Sequence, residues 1–290
     1  MDSLLIRGGV PLHGEVQISG AKNAVLPIMA ASLLTPEQCV IHNVPDLEDV
    51  RTMVRILQSL GAKVQFDGQS LTVRAERVKD MADYDLVRKM RGSICVLGPL
   101  LGRLRRAKVS LPGGCVIGTR PIDLHLKGME ALGAKVKTAA GYVRASAKTF
   151  KGAEVFLGGR AGPTVLGTAN LLMASVLAPG RTLIESAACE PEVSDLAKFL
   201  NAMGAKIEGA GSPTITVTGV KKLQGAEHKV IPDRIEAATY AVASVVTKGE
   251  VTLRGAQVRH LNAVIDKLSE EGAKAEASRG RITFKRGRTL

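Results

Sequence analysis

Aromatic side chains are scarce in this sequence. Phe, Trp and Tyr make up 3% of its 290 residues, and tryptophan is absent. Basic residues outnumber acidic ones by 40 to 27, and the resulting net charge of +13 would attract nucleic acid. Single strands are bound by stacking bases on aromatic rings, however, and the basic residues are spread along the chain. The composition therefore predicts no nucleic-acid partner and suits small anionic substrates.

Long apolar runs and paired cysteines are also missing. The most apolar stretch, residues 162–179, is interrupted by glycine, proline and asparagine, so we expect no membrane insertion. The first residues lack the basic and apolar segments of a secretory leader, and the four cysteines have neither disulfide-framework nor zinc-ligand spacing. We therefore expect a cytoplasmic protein with reduced thiols and no metal.

Four of the five Gly-Ala-Lys triplets in the sequence recur at nearly equal spacing, at residues 61–63, 133–135, 204–206 and 272–274. The spacings of 72, 71 and 68 residues indicate four similar units. Each triplet follows a segment with apolar residues at helical spacing and precedes an alternating hairpin, which is clearest at residues 64–73. With the strand and helix that come before them, these segments give each unit the order βαβαββ.

One helix of each unit is apolar on nearly every side. These helices are predicted at residues 24–34, 93–104, 164–178 and 235–247. A helix without a polar face must be enclosed, so we expect the four to be central, with the amphipathic helices and sheets around them. The predicted fold class is α/β (α+β), an inverse α/β barrel of repeated βαβαββ units with buried central helices and outer sheets.

The loop at residues 111–125 sets a thiol between glycines. Cys115 follows Gly113 and Gly114, which let the backbone approach a ligand closely. Arg120 adds a cation that favours the thiolate. A lone cysteine is more often inert packing in a turn, so the loop by itself leaves both a reactive and a structural thiol open.

Two further cations stand at the starts of predicted central helices. Lys22 and Arg91 occupy these positions, where free N–H groups attract anions. Each alone is more often an exposed surface charge. Together with Arg120 they predict a site for a ligand with several negative charges, such as a phosphate that bears a carboxylate.

In these segments the chain resembles the enolpyruvyl transferases, from residue 1 to about 285. The matching segments are residues 19–23, 90–93, 111–125, 188–192 and 231–236. The Gly-Asn-Ala-Gly-Thr motif of the shikimate-pathway members is not found. The resemblance implies transfer of the enolpyruvyl group of phosphoenolpyruvate to the 3-hydroxyl of UDP-N-acetylglucosamine, with release of phosphate, in peptidoglycan synthesis. It implies no metal or redox cofactor.

The resemblance also implies roles for individual residues. Cys115 would be the loop acid and nucleophile and the target of fosfomycin, with Lys22 and Asn23 as further catalytic residues. Phosphoenolpyruvate would be held by Lys22, Arg91 and Arg120. The UDP-sugar site would comprise Asn23, Arg91, Arg120, Pro121, Ile122, Asp123, Leu124 and Thr164.

The sequence departs from the family in two respects. Many relatives carry a serine followed two residues later by glycine, where this chain has Thr164 and Leu166, so a plain helix start is the alternative there. The family has about six units and this chain four. We therefore expect a complete three-unit domain at residues 22–228, with residues 1–21 and 229–290 forming part of a second. The family's proton-accepting aspartate and a further arginine would lie in the absent part, and exposed apolar helix faces would favour aggregation.

Three functions remain open on the sequence. The first is an enolpyruvyl transferase whose chain is truncated. The second is a UDP-sugar-binding derivative that has lost the chemistry. The third, a basic nucleic-acid-binding protein, is the weakest because the chain lacks an aromatic or groove-reading motif. The oligomeric state is not predicted.

Overall fold

The computed structural model describes residue 3 and residues 5–113, 121–160 and 162–287. The chain divides into two compact units. Residues 22–231 form the larger, here the large unit, and the segments before residue 22 and after residue 231 form the small unit. Among the described residues, none of the helices has the length and apolar character needed to cross a membrane.

Helices and strands are numbered along the chain. The α-helices are α1 Lys22–Ala31, α2 Glu48–Ser59, α3 Tyr84–Arg88, α4 Leu97–Leu104, α5 Asp123–Ala131, α6 Val165–Ser175, α7 Pro191–Ala202, α8 Arg234–Val246 and α9 Asn262–Glu270. The strands are β1 His13–Gln17, β2 Gln38–His42, β3 Lys63–Phe66, β4 Ser70–Arg74, β5 Arg106–Ser110, β6 Lys135–Ala139, β7 Tyr142–Ser146, β8 Glu154–Phe156, β9 Arg181–Glu185, β10 Lys206–Glu208, β11 Thr214–Thr218, β12 Glu227–Lys229, β13 Glu250–Arg254, β14 Ala273–Ser278 and β15 Arg281–Arg286. Short 3₁₀ helices span Ser32–Leu34, Arg91–Val96 and Val258–His260.

The predicted repeat is visible in the element order. The first, third and fourth repeats run βαβαββ, beginning at β1, β8 and β12. The second begins with α3, and the place of its first strand is taken by an isolated parallel bridge between Met81 and Lys108. The four-unit prediction is therefore confirmed with one strand reduced to a bridge.

Two of the four sheets combine strands from different repeats. Sheets β5-β7-β6 and β10-β11-β9-β8 each belong to one repeat. In the large unit β12, from the fourth repeat, pairs in parallel with β2, and in the small unit β1, from the first repeat, pairs in parallel with β13. The first strands of repeats one and four are thus exchanged. Because β12 pairs with β2, and Ile231 N donates to Asp195 Oδ2 at 3.2 Å, the large unit continues to residue 231.

The Gly-Ala-Lys triplets end the amphipathic helices. Their glycines follow α2, α5, α7 and α9 with φ of +99°, +96°, +97° and +78°. After α5, Gly133 N donates to Glu130 O and Ala134 N donates to Met129 O. These two bonds satisfy carbonyl groups in the last turn of the helix. This left-handed conformation is costly for residues that carry a Cβ, which explains glycine at these positions.

Three of the four apolar helices are enclosed. Eight of the ten residues of α1, six of the eight of α4 and nine of the eleven of α6 are buried in the large unit. The prediction for α8 was wrong, because only four of its thirteen residues are buried. On one side α8 packs against β13 and β15, and on the other it exposes apolar side chains.

Candidate functional site

A cavity of about 470 Å³ lies in the large unit at the starts of α5 and α6. It is lined by Arg91, Pro121, Asp123, Leu124, Gly159, Arg160, Gly162, Pro163, Thr164, Val165 and Leu166. Five of the residues predicted from the sequence therefore meet in one place, although they come from three separate segments: Arg91, Pro121, Asp123, Leu124 and Thr164.

The first turn of α5 forms one wall and is tied to the loop before α6. A Cβ on Gly159 would lie 3.0 Å from Leu124 Cδ1, so the loop approaches Leu124 closely because residue 159 is glycine. Lys127 Nζ also donates to Phe156 O at 2.7 Å, at the end of β8. These contacts fix the start of α5 against the segment that carries Gly159 and Arg160.

The start of α6 forms the opposite wall. Gly159 and Gly162 exchange backbone hydrogen bonds of 3.1 and 3.0 Å, which turn the chain into the helix. Thr164 is the N-cap residue, and its Oγ1 accepts from Gly167 N at 3.2 Å. The Thr164 hydroxyl therefore caps the helix, as the alternative on the sequence predicts, and its contact with the sugar nucleotide stays a prediction. The N-terminal end of α6 brings partial positive charge to the cavity.

The charged side chains around the cavity are mostly cationic. The lining contains two arginines, Arg91 and Arg160, and one carboxylate, that of Asp123. Just below, on α5, His125 is 2% exposed, and burial, aided by the charge of Arg91, lowers its pKa from 6.5 to about 4. The imidazole is therefore neutral at physiological pH, and the cavity offers two guanidinium groups and a helix N-terminus to an anion.

The other predicted site residues lie outside this cavity lining. Lys22 begins α1, where its Nζ lies 3.1 Å from Asp49 Oδ2, and Asn23 is exposed beside it. Helix α1 packs against the 3₁₀ turn that Arg91 begins, and a Cβ on Gly92 would come within 2.9 Å of Leu26. Ile122 is the residue before α5. The predictions for Cys115 and Arg120 lie outside the described residues.

Sequence reasoning missed Arg160 and the buried polar residues below the cavity. Arg160 stands in the glycine-rich segment 158–162, ahead of a predicted central helix, and that combination was a usable signal for an anion site. Asn170 and His125 carried a weaker signal, since single polar residues in apolar helices are common. Their contact is a product of tertiary packing.

A second, more open groove of about 740 Å³ carries none of the predicted residues. It is lined by His42, Asn43, Gln69, Ser70, Glu227, His228 and Lys229. Within the part of the chain that the structure describes, no group of three or more His, Cys, Asp or Glu side chains could hold a metal ion.

Comparison with known proteins identifies the family. The profile of the family described as EPSP synthase (3-phosphoshikimate 1-carboxyvinyltransferase) matches residues 6–288. UDP-N-acetylglucosamine 1-carboxyvinyltransferase of Methylacidiphilum infernorum is 52% identical over 276 residues, which cover 95% of this chain and 66% of that protein. The protein of the same name from Coxiella burnetii is 51% identical over 279 residues, 95% of this chain and 64% of that protein. The chain thus spans about two thirds of the length of these relatives.

Solved structures show the same fold. The enolpyruvyl transferase NikO from Streptomyces tendae superimposes with a TM-score of 0.86 at 25% identity, over 97% of this chain and 67% of that one. EPSP synthase from Acinetobacter baumannii, at 17% identity, has a TM-score of 0.74 over 97% and 66% of the two chains, which supports the fold alone. With its repeated βαβαββ units and a family match over nearly its whole length, the chain belongs to the EPSP synthase family of enolpyruvyl transferases.

Proposed function

We propose that this chain serves the transfer of the enolpyruvyl group of phosphoenolpyruvate to the 3-hydroxyl of UDP-N-acetylglucosamine, with release of phosphate. The activity is that named for relatives about half identical to it. The observation that carries the proposal is the cavity that collects Arg91, Arg160 and the start of α6 around residues 121–124. We place the protein in the cytoplasm.

The cavity suits a nucleotide diphosphate. Arg91, Arg160 and the N-terminal end of α6 supply positive charge for the diphosphate. Pro121 and Leu124 offer apolar contact to a flat base, and the Asp123 carboxylate can accept the imide proton that uracil presents. We assign this cavity to the UDP part of the sugar nucleotide, with Ile122 beside it.

The remaining predicted residues belong to the reacting groups. Lys22, Arg91 and Arg120 would hold the phosphate and carboxylate of phosphoenolpyruvate, with Asn23 orienting the reactants. Cys115 would give a proton to the methylene carbon while the sugar hydroxyl oxygen adds to the neighbouring carbon and loses its own proton. Loss of a proton from the new methyl group and departure of phosphate then complete the transfer.

Phosphate release tests the reaction. Purified chain is mixed with phosphoenolpyruvate, with and without UDP-N-acetylglucosamine, beside a Cys115→Ala control. Release that needs both substrates and fails in the variant is the expected result. Binding of the sugar nucleotide without release would favour the binding derivative, and absence of both from folded protein would overturn the proposal.

A ligand series tests the assignment of the cavity. Loss of one charge-assisted contact is worth about 1.5–3 kcal/mol, so Arg160→Ala should weaken UDP binding by roughly tenfold or more. Uridine, which lacks phosphate, should bind parent and variant within about twofold. Arg144→Ala is the matched control, because Arg144 is an exposed arginine of β7 outside the cavity lining. Calorimetry measures the dissociation constants of UDP and uridine for the parent and for both variants. Equal loss for UDP and uridine would contradict a phosphate contact.

A further inference from the structure

Asn170 is a polar residue in the middle of an apolar, buried helix. It lies in α6 with no exposed surface. An amide removed from water without hydrogen bonds is costly, so its partners matter. Its Nδ2 donates to Ile94 O at 3.0 Å and to His125 Nδ1 at 2.9 Å, and its Oδ1 accepts from Gly98 N at 2.7 Å. Both amide protons and the carbonyl oxygen are used.

These partners fix the chemistry of the network. Gly98 N–H can only donate and Ile94 O can only accept, so the amide has one orientation that satisfies both. His125 Nδ1 then accepts a hydrogen bond from the Asn170 amide, which requires a neutral ring with its proton on Nε2. The low pKa of His125 agrees with this arrangement. We call Asn170, His125 and the backbone of Ile94 and Gly98 the Asn170 clamp.

The clamp joins the elements that line the cavity. Ile94 lies in the 3₁₀ turn that begins at Arg91, and His125 lies one residue beyond Leu124 on α5. Asn170 itself lies on α6, whose first turn forms the opposite wall. A single side chain therefore holds three segments that are far apart in the sequence.

Close packing around the clamp leaves little freedom. A Cβ on Gly98 would lie 2.4 Å from Asn170 O, so α4 and α6 are in backbone contact at this point. Fully satisfied buried networks favour one arrangement over alternatives, because each shift would leave a polar group unpaired. An apolar residue at position 170 would fill the space without selecting that arrangement.

We propose that Asn170 is a positioning residue for the sugar-nucleotide site. Through the clamp it sets the spacing of Arg91, the start of α5 and the start of α6. The inference rests on the proposed function, because the ligand whose affinity it affects is the UDP sugar. It concerns geometry and assigns no chemical step to Asn170 or His125.

Two variants of α6 separate positioning from stability. Asn170→Leu is similar in size and removes all three hydrogen bonds. Thr168→Val is the matched control, because Thr168 is fully buried two residues from Asn170. Its Oγ1 accepts one hydrogen bond, from Ala188 N at 3.1 Å, and Ala188 lies outside the cavity lining. Melting temperature, UDP-N-acetylglucosamine affinity by calorimetry and backbone amide NMR shifts are measured for both and for the parent.

We expect Asn170→Leu to weaken binding at least tenfold at a temperature where it is folded, and to shift the Asp123 and Leu124 amide signals. Thr168→Val should lower the melting temperature yet bind within twofold of the parent. Affinity of Asn170→Leu within twofold of the parent, or equal losses in both variants, would overturn the proposal. If the parent binds no UDP sugar, the proposed function is contradicted instead. In that case the NMR spectra still test the positioning role of Asn170, which is rejected if Asn170→Leu leaves the Asp123 and Leu124 amide signals unchanged.

A further test uses only the parent protein, so it remains available if Asn170→Leu does not fold. Nitrogen-15 NMR of the imidazole should show His125 as the neutral Nε2–H tautomer at pH 7. A proton on Nδ1 would show that Asn170 does not donate to the ring and would refute the clamp.

Discussion

Glycines at the ends of the amphipathic helices have the same backbone conformation but different surroundings. Gly133 and Gly204 have φ of +96° and +97°. A Cβ on Gly133 would lie 2.4 Å from Thr149 O, whereas one on Gly204 meets nothing within 4 Å. The sequence shows four equivalent triplets, and only the structure shows that their glycines are not equally replaceable.

This difference predicts two sizes of effect. Gly204→Ala should reduce the free energy of unfolding by about 1 kcal/mol, the cost of a left-handed alanine. Gly133→Ala should cost about 2–4 kcal/mol, because backbone must also move. Urea denaturation of both variants measures the difference. Equal losses would mean that the space around Gly133 adjusts freely.

Buried His125 makes stability depend on pH. Its folded pKa of about 4 lies below the ordinary 6.5, so the unfolded chain takes up the proton first as pH falls. The free energy of unfolding therefore keeps its full value above pH 6.5. It falls by roughly 3 kcal/mol as the pH decreases from 6.5 to 4. His125→Gln keeps an acceptor for Asn170 and does not titrate. Unfolding free energies measured from pH 7 to 4 should therefore fall less in this variant, and parallel curves would contradict the assignment.

At the scale of elements, the contact between α4 and α6 depends on small residues. Gly98 and Gly102 stand four apart on α4, and a Cβ on either would come within 3.0 Å of a backbone oxygen of α6. This spacing in the sequence was a usable signal for close helix packing. Its partner helix could not be chosen from the sequence, because every apolar helix is an equally good candidate by pattern.

A glycine on α5 provides the comparison for Gly98. Gly98→Ala should destabilise the protein by about 2–3 kcal/mol, because the new methyl group meets backbone 2.4 Å away. Gly128→Ala meets only the side chain of Leu171, at 3.3 Å, and gains helix propensity, so its change should stay within about 1 kcal/mol. Thermal unfolding of both variants distinguishes the cases, and a neutral Gly98→Ala would show that α4 can move.

At the scale of the whole molecule, α8 departs from the enclosed helix that its apolar composition predicts. Ile235, Val242 and Val246 are 49%, 43% and 70% exposed and follow one another at helical spacing. The large unit has no central helix exposed to this degree among its described residues. These three side chains form an exposed apolar stripe along α8.

Adjacent valines test this surface. Val246→Lys should change the free energy of unfolding by less than about 0.5 kcal/mol and raise the concentration at which the protein aggregates. Val245→Lys places a charge in a side chain only 4% exposed and should cost several kcal/mol. Denaturation and light scattering measure the two properties. Aggregation unchanged in Val246→Lys would show that the stripe does not drive association.

The sequence by itself determined the repeat, the order of the elements within it and the family. These depend on local periods and on glycine at fixed places, as in the hairpin at residues 64–73, where Asp67 and Gly68 form the turn between β3 and β4. It also indicated five residues that line the cavity, through motif resemblance. Local preference and pattern are properties of neighbouring residues, so a sequence carries them directly.

Only the tertiary structure decided the rest. It exchanged β1 and β12 between repeats, added Arg160 to the cavity and brought Asn170 to His125 and Gly98. It also left α8 partly exposed. Each outcome depends on which of several similar apolar surfaces meet, and that choice depends on contacts between residues distant in the chain, which a local pattern does not encode.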